Sequence, residues 1–437
     1  MADGAGHALA AVHRGADGRE SLLLLFRNDP NRLHSLLFLH GVLGWVAGGA
    51  YLGERRIDLS AQVDDLFFAG VLTNGSNFRI DDLDLRAARA WLMARRGNAQ
   101  TPGFRVSLAF NGAGATSGDA LTEEAVAENG DWYWINHTWA HAGLDAASFA
   151  AAYPAFAQNA QLAADLPLEG FDVRDLVTPS VSGLVNGNAM RAAADLGIRY
   201  AVTDTSMPGC NNPTPNTTFY DAVEPRLLLV PRRPTNLSWN VSTPAAWVTS
   251  YNANHRAQWG RDSTYAQVLD QEADVLIHYL LRGEGDPWMF HQANLRAYDG
   301  THSLLGDLLD ATLAKLAARS LVPVGTPPMH AIGAQFARRA SSDTAGVRAT
   351  LFRGRALVID VARATPVSVT GVRADDGEAY GGDVIARIDA VPGTSACVPL
   401  DSAGQGCAPA PTRDGGAGTA TSLPIGYCDA SSLPHAP

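Results

Sequence analysis

Two groups of residues have the types and spacing to do chemistry together. Gln62-Val63-Asp64-Asp65 closes an apolar run, and His137-Thr138-Trp139-Ala140-His141 follows well downstream. One carboxylate and two imidazoles, with positions left open for water, form a ligand set used by catalytic divalent metals. The second carboxylate is then free to act as a general base. Taken alone, an Asp pair at a strand end is an ordinary turn or cap, and two histidines four apart can be unrelated. Together, each after its own strand, they point to a metal.

The neighbours sharpen that reading. Asp64 and Asp65 lie between Val63 and Leu66-Phe67-Phe68. A charge there must be paired or metal-bound, because burying it bare is costly. Side chains alternate along an extended segment, so adjacent carboxylates do not ordinarily face one ion. One ligand and one base is the expected division. On a helix, His137 and His141 would share one face.

Other candidates are weaker. His291 ends Trp288-Met289-Phe290-His291; such a histidine is commonly a core or rim residue, but a hydrolase also needs a proton donor for its leaving group. Asp204, after Ala201-Val202-Thr203, either holds His291 in its tautomer or caps a turn. Asn111 and Arg191 are candidate orienting or substrate-binding residues. Trp132, Tyr133, Trp134 and Trp139 crowd the histidine pair; exposed rings of this kind stack on sugars, and most of these read as core. Asn136-His137-Thr138 spells a glycosylation sequon beside the expected metal site and reads as chance.

The elements that must position these residues alternate. Strands are expected at 21–26, 57–63, 104–110, 132–136, 198–203, 227–230 and 288–291. Helices are expected over 78–96, 146–166, 188–196, 263–281 and 303–319. The candidate residues fall at strand C-terminal ends, the layout of a parallel (β/α) barrel whose site gathers at that face. The apolar run from Leu36 to Gly53 reads as a buried core helix rather than a membrane span. After about residue 345 helical periodicity stops. Short β-branched runs at 349–352, 356–362, 366–372 and 384–390 suggest a small β-sandwich-like module with a Gly/Pro-rich tail. The expected domains are 1–345 and 346–437.

Composition sets outer bounds. The chain has 437 residues, 46% hydrophobic and 18% charged, which is globular and long enough for two or three domains. A formal charge of −11 argues against nucleic acid as a partner, which needs clustered Lys and Arg. Four cysteines, three of them in the tail, favour disulfides and an oxidising compartment. Cys397 and Cys407 enclose a short Gly/Pro-containing loop and are the first choice for a pair. No secretory signal is visible at the start, so either the start is truncated or the signal is absent.

These motifs resemble the NodB-homology polysaccharide deacetylases: an Asp-Asp after the first barrel strand, then His-[Ser/Thr]-x-x-His, then a late histidine. The wider wording is similar to the galactosaminogalactan-type exopolysaccharide deacetylase branch, in Arg55-Arg56, Asn136-His137-Thr138, Ser182-Gly183-Leu184, Gly197-Ile198-Arg199-Tyr200 and Phe290-His291-Gln292-Ala293-Asn294. The resemblance covers roughly residues 20–340. It implies a distorted barrel of NodB-homology type. It also implies zinc or a similar divalent ion on Asp65, His137 and His141, Asp64 as base and His291 as acid. The implied reaction is hydrolysis of N-acetyl groups on an amino-sugar polysaccharide at or outside the cell surface. An O-acetyl or peptidoglycan deacetylase on the same barrel, or a non-catalytic sugar-binding protein, is the alternative. Two departures stand out. The family's Arg-Pro-aromatic motif has no clear counterpart, with Pro179-Ser180-Val181-Ser182-Gly183 near its place, so the residue orienting the base is unassigned. The fungal branch also carries a carbohydrate-binding module ahead of the barrel, and this chain starts too late to hold one.

Overall fold

The structure, a computed structural model, describes residues 4–206, 217–372, 377–400 and 404–407. Nine strands form one curled sheet: β1 (Ala61–Leu66), β2 (Ser107–Phe110), β3 (Tyr133–Asn136), β4 (Phe171–Leu176), β5 (Tyr200–Val202), β6 (Phe219–Tyr220), β7 (Leu228–Val230), β8 (Arg233–Pro234) and β9 (Trp288–His291). Their order across the sheet is β6-β7-β5-β4-β3-β2-β1-β9-β8. All neighbours are parallel except β6 and β7. β7 stands beside one edge and β8 forms the other, yet only Pro231 and Arg232 separate them in sequence. That length of extended chain reaches about 10 Å. The sheet therefore curls until its two edges nearly meet, and the backbone bridges the seam.

Helices cover the outside, as the apolar spacing predicts. Asp82–Arg96, Phe149–Asp165, Gly187–Leu196, Tyr265–Leu281 and Leu304–Ala317 lie within the expected ranges or one residue beyond them. Asp81 begins the first with a reciprocal capping box to Asp84, which satisfies two otherwise unpaired helix-end donors. Leu92, Leu276, Leu280, Leu305 and Leu309 pack with the strand residues Val63, Leu108 and Phe290 in the main core. β4 was not expected: Phe-Asp-Val-Arg-Asp-Leu carries three charges and shows no clean apolar pattern. The helix Pro244–Trp259, with only Trp247 and Tyr251 buried, has too narrow an apolar stripe to be seen by periodicity.

The expected core helix is corrected. The run forms a helix over Leu33–Val46, and only Ser35 and Leu36 in it are buried. It packs on the outside of Tyr265–Leu281, tied by Arg282 and His278 to Asn31. That inner helix already covers the sheet, so the apolar run is left at the surface. Periodicity alone cannot distinguish the two placements. Among the described residues, no helix is long and apolar enough to cross a membrane.

Beyond residue 345 two small antiparallel sheets share a core of Leu357, Ile359, Val367, Val369 and Ala386. The strand Tyr51–Leu52 joins one of them by pairing with Val369 and Thr370. The module is thus completed by a segment that precedes the barrel in sequence. Cys397 and Cys407 form a disulfide with α-carbons 5.9 Å apart, as the short loop suggested. Cys210 and Cys428 lie outside the described residues.

Candidate active site

The C-terminal rim of β1, β2, β3 and β9 gathers the candidates. β9 runs parallel to β1 with His291 opposite Asp64. The pairing of β1 with β2 shifts register between Val63 and Leu66, and Asp65 takes φ 67°. This irregularity overrides the strand alternation that would aim the two carboxylates apart, so both contribute to one site. Phe67 is also left-handed, at φ 74°. Its carbonyl presses against Gly114, where a β-carbon would collide with it.

The His-x-x-x-His segment is not helical, so the two histidines are not brought together by helix geometry. It is a loop after β3 with positive φ at Thr138 (64°) and His141 (53°). Its shape is imposed by buried asparagines. Asn111 donates to the carbonyls of His137 (2.6 Å) and Thr138 (3.0 Å). Asn136 accepts from the Thr138 N–H at 3.0 Å and donates to Phe156 O. Asn159, unremarked in the sequence, donates to Asn136 Oδ1 and to Phe110 O and accepts from Gly112 N. Asn136 is fully buried, which bears out the chance reading of its sequon.

Asp65, His137 and His141 offer ligand atoms within 4.8 Å of one another. Asp65 Oδ1 stands 3.3 Å from His137 Nε2 and 3.1 Å from His141 Nε2. His137 Nδ1 lies 2.7 Å from the Val177 carbonyl. That bond places a proton on Nδ1 and turns Nε2 toward the carboxylate. Either a proton on Nε2 or a metal ion between the two groups satisfies them both. Zinc ligands at 2.0–2.1 Å in a tetrahedron are about 3.3 Å apart, so the donor set fits such an ion. Burial pulls the His137 imidazole down, but Asp64 and Asp65 outweigh it and hold its pKa above the ordinary value. The site attracts positive charge.

Asp64 is 4% exposed and is gripped by a residue the sequence reading missed. Arg232, 1% exposed, donates Nη2 to Asp64 Oδ1 at 2.6 Å and Nη1 to Oδ2 at 2.9 Å. It sits on the bridge between β7 and β8, whose carbonyls at Val230 and Arg232 accept from Thr203 N and Thr205 N. Burial pushes the Asp64 carboxyl up, but Arg232, His137 and His291 outweigh it and hold it below the usual carboxylate value. The available signal was an Arg one proline past an apolar strand, in Val230-Pro231-Arg232-Arg233-Pro234.

His291 Nε2 is 4.0 Å from Asp64 Oδ2. Burial holds its imidazole below the ordinary histidine value, against the opposing pull of Asp64 and Asp65. Two further candidates make local contacts. Asp204 accepts from the N–H and hydroxyl of Ser206, the turn-capping arrangement. Arg191 bonds Asn188 and lies over the Phe149 ring on an outer helix. Of the aromatics near the histidine pair, Trp132 and Trp134 are buried core.

The model of the Agd3 deacetylase domain family matches residues 122–349, just over half of the chain. The crystal structure of Agd3, described as a novel carbohydrate deacetylase, superposes with a TM-score of 0.79 over 91% of this chain and 73% of that one, at 20% identity. A probable polysaccharide deacetylase from Pseudomonas aeruginosa gives a TM-score of 0.40 at 12% identity, over 65% of this chain and 92% of that one. A family 4 carbohydrate esterase from Streptomyces lividans gives 0.32 at 12%, over 62% and 92%. No curated protein matches the chain. The chain belongs to the Agd3 deacetylase domain family and shares the fold of the Agd3 carbohydrate deacetylase.

Proposed function

We propose that this enzyme hydrolyses N-acetyl groups on an amino-sugar exopolysaccharide, a polymer of N-acetylgalactosamine or N-acetylglucosamine, and releases acetate outside the cell. Asp65, His137 and His141 hold the divalent ion, zinc, that the reaction requires. The observation that carries the reading is the buried Asp64–Arg232 pair beside the ligand trio and within 4.0 Å of His291. A carboxylate with no role in proton transfer has little reason to be fixed there.

A bound zinc ion supplies Lewis acidity toward the acetamide oxygen and the attacking water. Asp64, kept ionised and aimed by Arg232, takes the proton from that water. His291, on the neighbouring strand, gives a proton to the departing amine. An amine leaves poorly unless protonated, whereas an alcohol needs the acid less, so His291 favours N-acetyl over O-acetyl substrates. The disulfide Cys397–Cys407 supports an oxidising, extracellular setting. The domain reading is a barrel over 1–345 and a β module over 346–437, the latter with Tyr51–Leu52 added.

Acetate release would be measured from partly N-acetylated galactosamine and glucosamine polymers and from an O-acetylated polysaccharide. Each would be run before and after chelation and zinc restoration. The expected result is turnover of an N-acetylated polymer that disappears on chelation and returns with metal. Faster release from the O-acetylated polymer, or full turnover after complete metal removal, would overturn the proposal.

A further inference from the structure

An exposed tryptophan stands beside the proton donor. Trp239 is 51% exposed, and its ring centre is 6.3 Å from that of His291, with the planes tilted by 56°. Hiding a large apolar side chain of this kind contributes about 1.5–3 kcal/mol, and this fold leaves that gain unused.

The loop that carries it is held firmly nonetheless. Asn294, fully buried, donates its amide to the carbonyls of Ser238 and Val241, both at 3.0 Å. The same side chain accepts from the backbone N–H of His291 at 3.0 Å. Trp247 Nε1 donates to Asn236 O at 2.9 Å on the approach to the loop. Thr73 N donates to Asn240 O at 3.1 Å, which ties the loop to the short hairpin of Gly70–Val71 and Asn77–Phe78. Gly70 lies beside the ring: a β-carbon there would be in ordinary contact with the indole, 4.0 Å away. One buried amide thus fixes an exposed ring and the backbone of the proton donor in a common frame.

A second exposed ring lies beside another of the candidate site residues. Phe68, 37% exposed, stacks on His141 at 5.6 Å and 25°. The site thus carries one exposed aromatic ring beside a metal-ligand candidate and another beside the acid. Sugar rings present an apolar face of C–H groups, and an aromatic surface with few polar groups around it suits such a ligand.

Resting on the amino-sugar reading above, we infer that Trp239 is the platform on which the sugar bearing the departing amine stacks. Asn294 is the positioning residue that holds the indole and His291 in register. Binding energy gathered on the sugar face, away from the scissile bond, then holds the sugar at the site in ground state and transition state alike.

The test separates this inference from turnover. Binding of N-acetylated galactosamine and glucosamine oligomers would be measured calorimetrically on the zinc-loaded Asp64→Asn enzyme, with and without Trp239→Ala. Loss of the platform is expected to weaken binding by about tenfold, equivalent to ~1.4 kcal/mol, at unchanged metal content. Trp239→Phe is expected to recover most of it. In the Asp64-intact enzyme the Trp239→Ala defect should fall on KM more than on kcat. Equal affinity with and without the indole, or no binding of either oligomer by Asp64→Asn, would overturn the platform. Binding lost with Trp239 in an enzyme that releases no acetate would uphold the platform and count against the deacetylation reading alone.

Discussion

The barrel rim and the C-terminal β module store backbone strain differently. Every described non-glycine residue with positive φ lies at or near the rim: Asp65, Phe67, Thr138, His141, Ser180 and Val181. Among the described residues of the module, positive φ falls on glycines alone, including Gly354, Gly371, Gly381 and Gly393. A left-handed non-glycine residue costs on the order of 1–3 kcal/mol and persists only where its surroundings impose it. At the rim those surroundings are Asn111, Asn136 and Asn159, whose side-chain bonds hold the histidine loop. The module has plain antiparallel registers through Thr365–Thr370 and Asp383–Ala390 and a disulfide. One region spends stability to converge polar groups; the other is built for stability.

The contrast is broken most severely at the rim's charged centre. Asp65→Ala is expected to remove bound metal and activity together. Asp64→Asn should retain the metal and lose about 10²- to 10⁴-fold in kcat, the usual range for a general base. Metal analysis and acetate release on the two proteins check this; loss of metal in Asp64→Asn would reverse the two roles.

Arg232 gives the next effect. Arg232→Met leaves Asp64 buried without its partner, and breaking such a pair costs about 3–5 kcal/mol. Denaturant unfolding should show that loss. Arg232→Lys, which keeps the charge but not the two parallel bonds to Asp64, should be less destabilised and still impaired in kcat. Unfolding of Arg232→Met at wild-type denaturant concentrations would remove the pair from the account.

The smallest effect belongs to the module. Cys397→Ser with Cys407→Ser opens a loop spanning a sequence separation of 10, which in the chain-entropy view costs about 2–3 kcal/mol. The expected result is earlier melting of the module with metal content and kcat retained. If activity falls in proportion to stability instead, the module and the rim are coupled and the contrast between them fails.

Much of the site was legible because metal chemistry restricts residue types. Asp64, Asp65, His137, His141 and His291 were assigned from type, order and position after strands, and the fold brings them to one rim. Asn111 was a weak candidate and became a clamp on the histidine loop. Asp204 and Arg191 had types compatible with a role but no local feature distinguishing it from capping and surface packing. The helix over Leu33–Val46 was legible as a helix and misread as core, because which layer covers the sheet is a property of the assembled fold.

The sequence by itself determined the parallel barrel, the types of the candidate site residues and the change of texture near residue 345, since these depend on local period, composition and short spacings. Only the tertiary structure decided that Arg232 grips Asp64 from the other side of the seam, 168 positions along the chain. It alone set Asp65 and His141 in left-handed conformations, and it gave Tyr51–Leu52 to the distant β module. Each of these depends on where the curled sheet brings its two edges together and on buried side chains that outweigh local backbone preference. No window of sequence contains both partners of such contacts.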